Sequence, residues 1–570
     1  MTSASDCDGV PLLNRCLPPL GQWTAILGMM LVAILTGLPV AIFLVLGIYL
    51  IWRKLQEPLR NKRKRRQQAE AEIRTCSPCP VMPKTGFLGF GRLWGGIKAN
   101  KVDRGPHYVV ETMDAEMGKD VHTCIVPIHD YELIVTREPE NVQAILATNS
   151  QDWDVGEHRV ASWIPLVGKG VFTTRGEDWH KSRALVRPHF RKDLAADLDS
   201  FERHVDRMMR VIDVQFGVGS ATSYFGWTDE FDLQLYLNNM VLDLVTEMIF
   251  GSTVCTQDYM ERRPLPELPG VELPDRVDIG EHMDAGKAWI ETRGAFWKYR
   301  WLLPARGFYK HCEAIHRFAN WFVQLRLQKG DAYLEALEDV GPSIKNLHET
   351  EENTKRRLEQ ARLPTDRFVL LNELAKTTQD PDELRSQTLN VFLAARDTTA
   401  ALLGWLFYFL SRHQTVQAKL RKEILDQFGP WRNACHHEAG RPTGIQVKQL
   451  QVRTSYLGAV INETLRMAPV VPLNERVALC DTVLPRGGGF RGQEKIFVPK
   501  GTQVLIPIYA LGRRKGLWGH DVNEFRPGRW LENGGRRFGF EFIPFGGGAR
   551  QCMGRECIHC PSGCDGGEVY

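Results

Sequence analysis

Phe545-Gly-Gly-Gly548-Ala-Arg550-Gln-Cys552-Met-Gly554, directly after the apolar run Phe540-Glu-Phe-Ile-Pro544, is the stretch on which the reading of this chain turns. Written F-x-x-G-x-R-x-C-x-G it fixes five positions, a chance match of roughly a few in ten thousand for a chain of this length. Glycines let a backbone turn through conformations closed to other residues and come close to a flat prosthetic group. Neighbouring amides can then donate hydrogen bonds to the Cys552 sulfur and tune a metal it holds. Arg550 is placed to pair with a carboxylate of such a group, and Phe545 to keep water from the sulfur. The plain alternative is a free cysteine in a glycine-rich turn.

The pattern resembles the haem-binding loop of the cytochrome P-450 monooxygenases. That resemblance implies haem b (iron protoporphyrin IX) as cofactor with Cys552 as axial ligand, a thiolate that favours O–O cleavage. It makes Phe545, Gly548, Arg550 and Gly554 the rest of the loop's cofactor-binding set. It also implies a mainly α fold with a smaller β region.

The 570 residues are 43% apolar and 25% charged, ordinary for a globular protein with a large core. The net charge of +4 hides a local excess: Arg53, Lys54, Arg60, Lys62, Arg63, Lys64, Arg65 and Arg66 stand against Glu57 alone, so the rest of the chain is slightly acidic. No nucleic-acid partner is expected from that balance. The 13 cysteines are spread along a long chain, which points to reduced thiols and a cytosol-facing body. Cys76-Ser-Pro-Cys79 has no partner pair and reads as loop rather than as a redox or zinc motif.

From Trp23 to Trp52 the chain is almost continuously apolar and uncharged, about thirty residues, enough to cross a bilayer with tilt. A signal-peptide core would be only about 7–15 residues. Pro39 predicts a kink. The basic cluster follows the span, whereas residues 1–22 hold only Arg15 against Asp6 and Asp8, so the positive-inside rule puts the body in the cytosol. The expected organisation is a lumenal 1–22, a transmembrane helix over 23–52, a basic and Pro/Gly-rich linker over 53–85, the haem domain over 86–556, and an atypical Cys/Gly-rich tail over 557–570.

Within the body, Thr123-Cys-Ile-Val-Pro-Ile and Glu132-Leu-Ile-Val-Thr136 alternate as strands. Glu138-Pro-Glu-Asn-Val-Gln-Ala-Ile-Leu then takes helical spacing. That segment and Gly168-Lys-Gly-Val-Phe-Thr-Thr look like the fungal alkane and fatty-acid hydroxylating branch of the family. Trp179-His-Lys-Ser-Arg183 sets an indole and a guanidinium one helical turn apart, able to face one anion or simply to share a helix surface. The resemblance makes Trp179, Arg183 and Arg476 contacts of a haem propionate. It also makes the amphipathic stretch from Lys287 to Trp301 part of a lid over the substrate channel, although by itself it reads as a core-facing helix.

Asp380-Pro-Asp-Glu383 carries an N-cap, a proline at N1 and an acid at N3, and opens a helix of about 30 residues, or about 45 Å. In its middle lies Ala394-Ala-Arg-Asp397-Thr398-Thr399, a carboxylate beside hydroxyls that back-bond to helix carbonyls and bend it. By resemblance Asp397 relays protons and Thr398 holds the hydrogen-bond network of bound oxygen. Ala395 replaces the family's usual glycine there, which puts crowding of the oxygen groove at issue. Glu463-Thr-Leu-Arg466 sets acid and base on one helix face. Followed by Glu524-Phe-Arg526-Pro-Gly-Arg-Trp530, it resembles the family's structural triad, with Arg526 as its third member.

The reading is a membrane-anchored haem-thiolate monooxygenase of the endoplasmic reticulum, its catalytic domain facing the cytosol. It takes electrons from an NADPH-dependent flavin reductase, because the chain carries no flavin or nicotinamide motif, and uses O2 on a lipophilic substrate, alkanes or fatty acids by resemblance. Two other readings stand beside it: a family member without haem turnover, and a metal-binding module at Cys552, Cys557, Cys560 and Cys564. The family's helix and strands after the cysteine loop are expected to be missing, because Arg555 to Tyr570 form a poor helix. Weak haem retention is the corresponding expectation.

Overall fold

The computed structural model describes residues 47, 51, 54–86, 89–129, 131–190, 198–216, 230–257, 265–274, 278–295, 305–338, 368–428, 456–532 and 538–555. The expected transmembrane helix and the tail over 557–570 therefore lie outside the described residues, apart from Gly47 and Ile51. Among the described residues no helix is long and apolar enough to cross a membrane. The chain divides into two compact units, Met1–Thr75 and Cys76–Tyr570.

In the first unit Glu57–Ile73 is a helix with a proline in its first turn, where the missing amide costs nothing. The expected linker over 53–85 is thus helical for much of its length. The second unit begins earlier than expected, because the Ser77 amide donates to the Lys495 carbonyl at 2.8 Å and Val81 bridges to Ile125.

That unit is mainly helical with a smaller sheet region. Strands β1 (Thr123–Ile128), β2 (Tyr131–Thr136), β3 (Trp153–Asp154), β4 (Leu473–Ala478) and β7 (Gln503–Pro507) form one sheet in the order β1-β2-β7-β4-β3. Only the β2–β7 pair is parallel, and β5 (Thr482–Gly488) pairs with β6 (Glu494–Val498) as a separate hairpin. The register sets Asp154 opposite Val477, next to Arg476. The main core packs helices α1 (Leu233–Phe250), α2 (Arg306–Lys329) and α3 (Pro381–Arg412), with Phe250, Phe318, Trp321 and Phe322 at or near zero exposure. At the start of α3 the Asp380 side chain accepts from the Asp382 amide, the cap its sequence predicts.

A second core surrounds helix α4 (Tyr456–Met467). Its Glu463 is wholly buried and accepts from Arg466 Nε and Nη2 at 2.9 Å each, from Trp530 Nε1 at 2.9 Å and from the Arg526 backbone amide at 2.9 Å. The third charged partner is Arg529, whose Nε donates at 3.0 Å, and not Arg526 as the resemblance implied. The Arg526 side chain turns outward to Asp521 and Glu532. Pro527 explains the difference: the turn Pro527–Trp530 carries Arg529 and Trp530 inward together. Removing one partner of a buried pair strands a charge, so Arg529→Met should cost roughly 3–5 kcal/mol of unfolding free energy in urea titration, against under about 1 kcal/mol for Arg526→Met at its half-exposed site. Equal losses would restore Arg526 to the triad.

Candidate active site

The cysteine loop turns at Gly546 (φ 74°) and Gly548 (φ 64°) and closes with the Cys552 amide donating to the Phe545 carbonyl at 2.9 Å. Phe545 packs against the second core and Met553 against the main one, so the loop spans the seam between them. At Gly548 an added Cβ would lie 1.7 Å from the Leu146 carbonyl oxygen. That carbonyl belongs to Ala144–Thr148, a π-helical turn that continues the short helix Pro139–Gln143. Cys552 is solvent-accessible, yet enough protein surrounds it that burial raises its thiol above the ordinary value. The Gly554 and Arg555 amides and the Arg183 guanidinium pull in the thiolate's favour.

Around this loop lies a cluster of arginines. Arg550 donates to the Thr174 carbonyl at 3.0 Å, pairs with Asp154 at 2.7 Å and sits 4.3 Å from the centre of the buried Trp179 ring. Arg183 donates to the Gln551 carbonyl at 3.0 Å and lies 5.5 Å from the same ring. Helix α5 of the site, Gly176–Val186, therefore holds Trp179 within reach of two guanidiniums. Arg476, on β4, donates to Asn474 Oδ1 and to the Glu475 carbonyl at 3.0 and 2.7 Å. Burial, reinforced by neighbouring guanidiniums, pushes Arg476 down to about 9 and Arg550 down to about 10. Sequence reasoning missed Arg159, on the helix Glu157–Val167: burial lowers it too, and it bears on both Arg476 and Arg550. It lies near the start of that helix, a full helix and a loop before Trp179, where no spacing marks it.

Two carboxylates, Asp154 and Glu475, face these four guanidiniums. Burial would raise Glu475, but His158, Arg159 and Gln503 outweigh it and hold the carboxyl low. The site is left with an excess of cationic charge in a desolvated setting, which is what the two propionates of a haem require. The residues present fit that cofactor.

A family profile described as "Cytochrome P-450" matches residues 103–557. The chain belongs to the cytochrome P-450 family. It is 35% identical over 493 residues to cytochrome P-450 monooxygenase g430 of Fusarium sp, covering 86% of this chain and 78% of the relative. Cytochrome P-450 52A3-B of Candida maltosa is 34% identical, covering 84% and 82%, and cytochrome P-450 52A12 of Debaryomyces hansenii is 33% identical with the same coverage. As a P-450 it is a monooxygenase whose cofactor is haem b on a cysteine thiolate, inserting one atom of O2 into an organic substrate.

On α3 Asp397 and Thr398, the acid and alcohol expected to move protons, are not joined to each other. The Asp397 carboxylate takes Lys287 Nζ at 2.7 Å and Arg396 Nη1 at 3.2 Å, while Thr398 Oγ1 donates back to the Ala394 carbonyl at 2.7 Å. Lys287 and Arg396 both also pair with Asp284, at 2.8 and 2.6 Å, so helix Ile279–Ala295 is ionically tied to the middle of α3. Burial would raise Asp284, but Arg396 and Lys287 hold it low. A cavity of about 470 Å³ opens beside this network, bordered by Gln234, Asn238 and Trp405. Ala395 packs its methyl against the main core. Among the described residues no three metal-ligating side chains gather, and Cys79 is a half-buried loop thiol pushed up to about 12 by desolvation.

Gly548→Ala should prevent haem uptake, read as the pyridine haemochrome per chain, because the methyl meets a carbonyl and the residue must also hold a left-handed conformation. Gly546→Ala meets nothing within 4 Å and should cost only the conformational penalty, about 1–2 kcal/mol, with haem retained. Similar haem content in the two variants would remove the close-approach argument.

Proposed function

We propose that this P-450 hydroxylates long-chain apolar substrates, alkanes or fatty acids, near a chain end, with Cys552 as the iron ligand. The observation that carries the ligand assignment is the arginine cluster built around the Cys552 loop. The substrate class rests on the sequence likeness to the 52A proteins and on the apolar run over 23–52, which would hold the channel where such molecules dissolve.

When bound, the haem supplies activation of O2 and transfer of one oxygen atom. The protein's part is binding, orientation and protons. Arg159, Arg183, Arg476 and Arg550, with Trp179, would hold the haem's propionates, and the cost of burying these cations would fall when anions join them. Phe545 limits water at the sulfur, and the Gly554 amide donates to it, tuning its donor strength. Thr398, whose hydroxyl now donates to the Ala394 carbonyl, would be free to donate a hydrogen bond on the haem side of α3 once that bond is released. Asp397 takes protons from solvent through the polar cavity, and Lys287 and Arg396 keep its carboxylate in place until it does so. Electrons come from an NADPH-dependent flavin reductase, and the chain sits in the endoplasmic reticulum membrane by one span with this unit in the cytosol.

Two measurements test the reading. Cys552→Ser should abolish the carbon monoxide difference band of the thiolate-ligated haem; an unchanged band would reject Cys552 as ligand. Titration with fatty acids of increasing length should shift the haem spectrum with affinity rising along the series, since each buried methylene contributes about 0.8 kcal/mol. Shifts with small aromatic compounds alone would reject the substrate class.

A further inference from the structure

Helix Ile279–Ala295 packs beside α2, and both bury apolar residues in the main core, among them Met283 and Ile290 on the first and Phe308 and Ile315 on the second. Where the two helices meet, His282 and His311 bring their Nδ1 atoms to 2.9 Å, with ring centres 5.2 Å apart and ring planes at 56°. Both side chains are half-buried. A contact between two imidazole nitrogens holds one proton: one Nδ1–H donates and the other Nδ1 accepts through its lone pair. A second proton would set two N–H groups against each other. Burial first, and then the charges of His282 and Lys310, hold His311 below the ordinary imidazole value, so the pair keeps a lone pair at neutral pH. Each ring can also carry its proton on Nε2, which leaves both Nδ1 lone pairs available with no proton gained or lost.

Two such lone pairs on neighbouring helices are two corners of a metal site. With metal–nitrogen bonds of about 2.0–2.1 Å, ligands at a right angle stand about 2.9 Å apart and tetrahedral ligands about 3.3–3.4 Å apart. The observed separation matches the right angle, the arrangement favoured by nickel(II) and copper(II), for which imidazole is a good ligand. We propose that His282 and His311 bind a divalent transition ion of this class through their Nδ1 atoms, the shared proton moving to Nε2 and the ion joining helix Ile279–Ala295 to α2. Among the described residues no group of three ligating side chains gathers, so the site is a two-histidine one with water in the remaining positions, and its ion exchanges with solution. It shares no residue with the cysteine loop, the arginine cluster or the ion pairs of Asp284 and Asp397.

The test titrates Ni2+ into the full chain and reads the ion's surroundings by nickel K-edge X-ray absorption, which the haem iron does not disturb. The unsubstituted chain should bind its first equivalent with two imidazoles among oxygen neighbours. His282→Gln and His311→Gln each keep an amide that can hydrogen-bond the remaining ring, so far-UV circular dichroism should be unchanged. Outer-shell changes alone weaken metal binding about 10–100-fold, so loss of a ligand should weaken Ni2+ binding at least about tenfold in either variant and remove one imidazole from the spectrum. Unchanged affinity in both variants overturns the proposal. So does a first equivalent held in the unsubstituted chain by sulfur, which would put the ion on thiols, or by a single imidazole. If one variant fails to fold, the other carries the same comparison.

Discussion

The Glu463 carboxylate is the constraint on which the catalytic half of this protein depends. A wholly buried carboxylate is tolerable only with its acceptor sites filled, and here two arginines, an indole and a backbone amide fill them. Arg466 then spends its remaining donors on the carbonyls of Gly512, Val522 and Glu524, so one charge pair pins the irregular segment after β7 to helix α4. Trp518, held by that arrangement, stacks on Phe538, Trp530 meets Phe538 and Phe542 at tilted angles, and the chain passes from Phe542 straight into the cysteine loop. A loop of glycines has little rigidity of its own. Its precision is borrowed from the ion pair behind it.

The opposite electrostatic condition holds at the arginine cluster. Where Glu463 is satisfied, the guanidiniums near Cys552 are desolvated, crowded by one another and short of carboxylates, which is why burial and mutual repulsion lower Arg476 and Arg550 so far. Such a site costs stability in the protein alone and recovers it when an anionic ligand arrives. The positioning of these side chains comes from β-sheet register, a helix and the cysteine loop at once, so no single element could supply the site.

The network of Lys287, Asp284, Arg396 and Asp397 ties the acid of the long helix to its neighbour in the fold. The Asp397 carboxylate is held by Lys287 and Arg396, so its position is tied to that of helix Ile279–Ala295. Two salt bridges, Lys287 to Asp397 and Asp284 to Arg396, thereby connect that helix to the middle of α3.

The sequence by itself determined the family, the cofactor, the long capped helix and the first two strands, because these rest on local signals: a spacing of glycines around one cysteine, an N-cap with a proline, alternation of apolar residues. It also placed Trp179 with Arg183, and Glu463 with Arg466, since one helical turn is a geometric certainty. Tertiary structure alone decided which arginine completes the triad, because Arg526 and Arg529 differ only by the turn that Pro527 imposes. It alone brought Arg159 to Arg476 across more than three hundred residues, and Lys287 to Asp397, since partners from distant elements leave no mark in spacing. The reason is physical: local hydrogen bonds and steric limits act within a few residues, whereas desolvation and charge pairing depend on what the whole fold brings together.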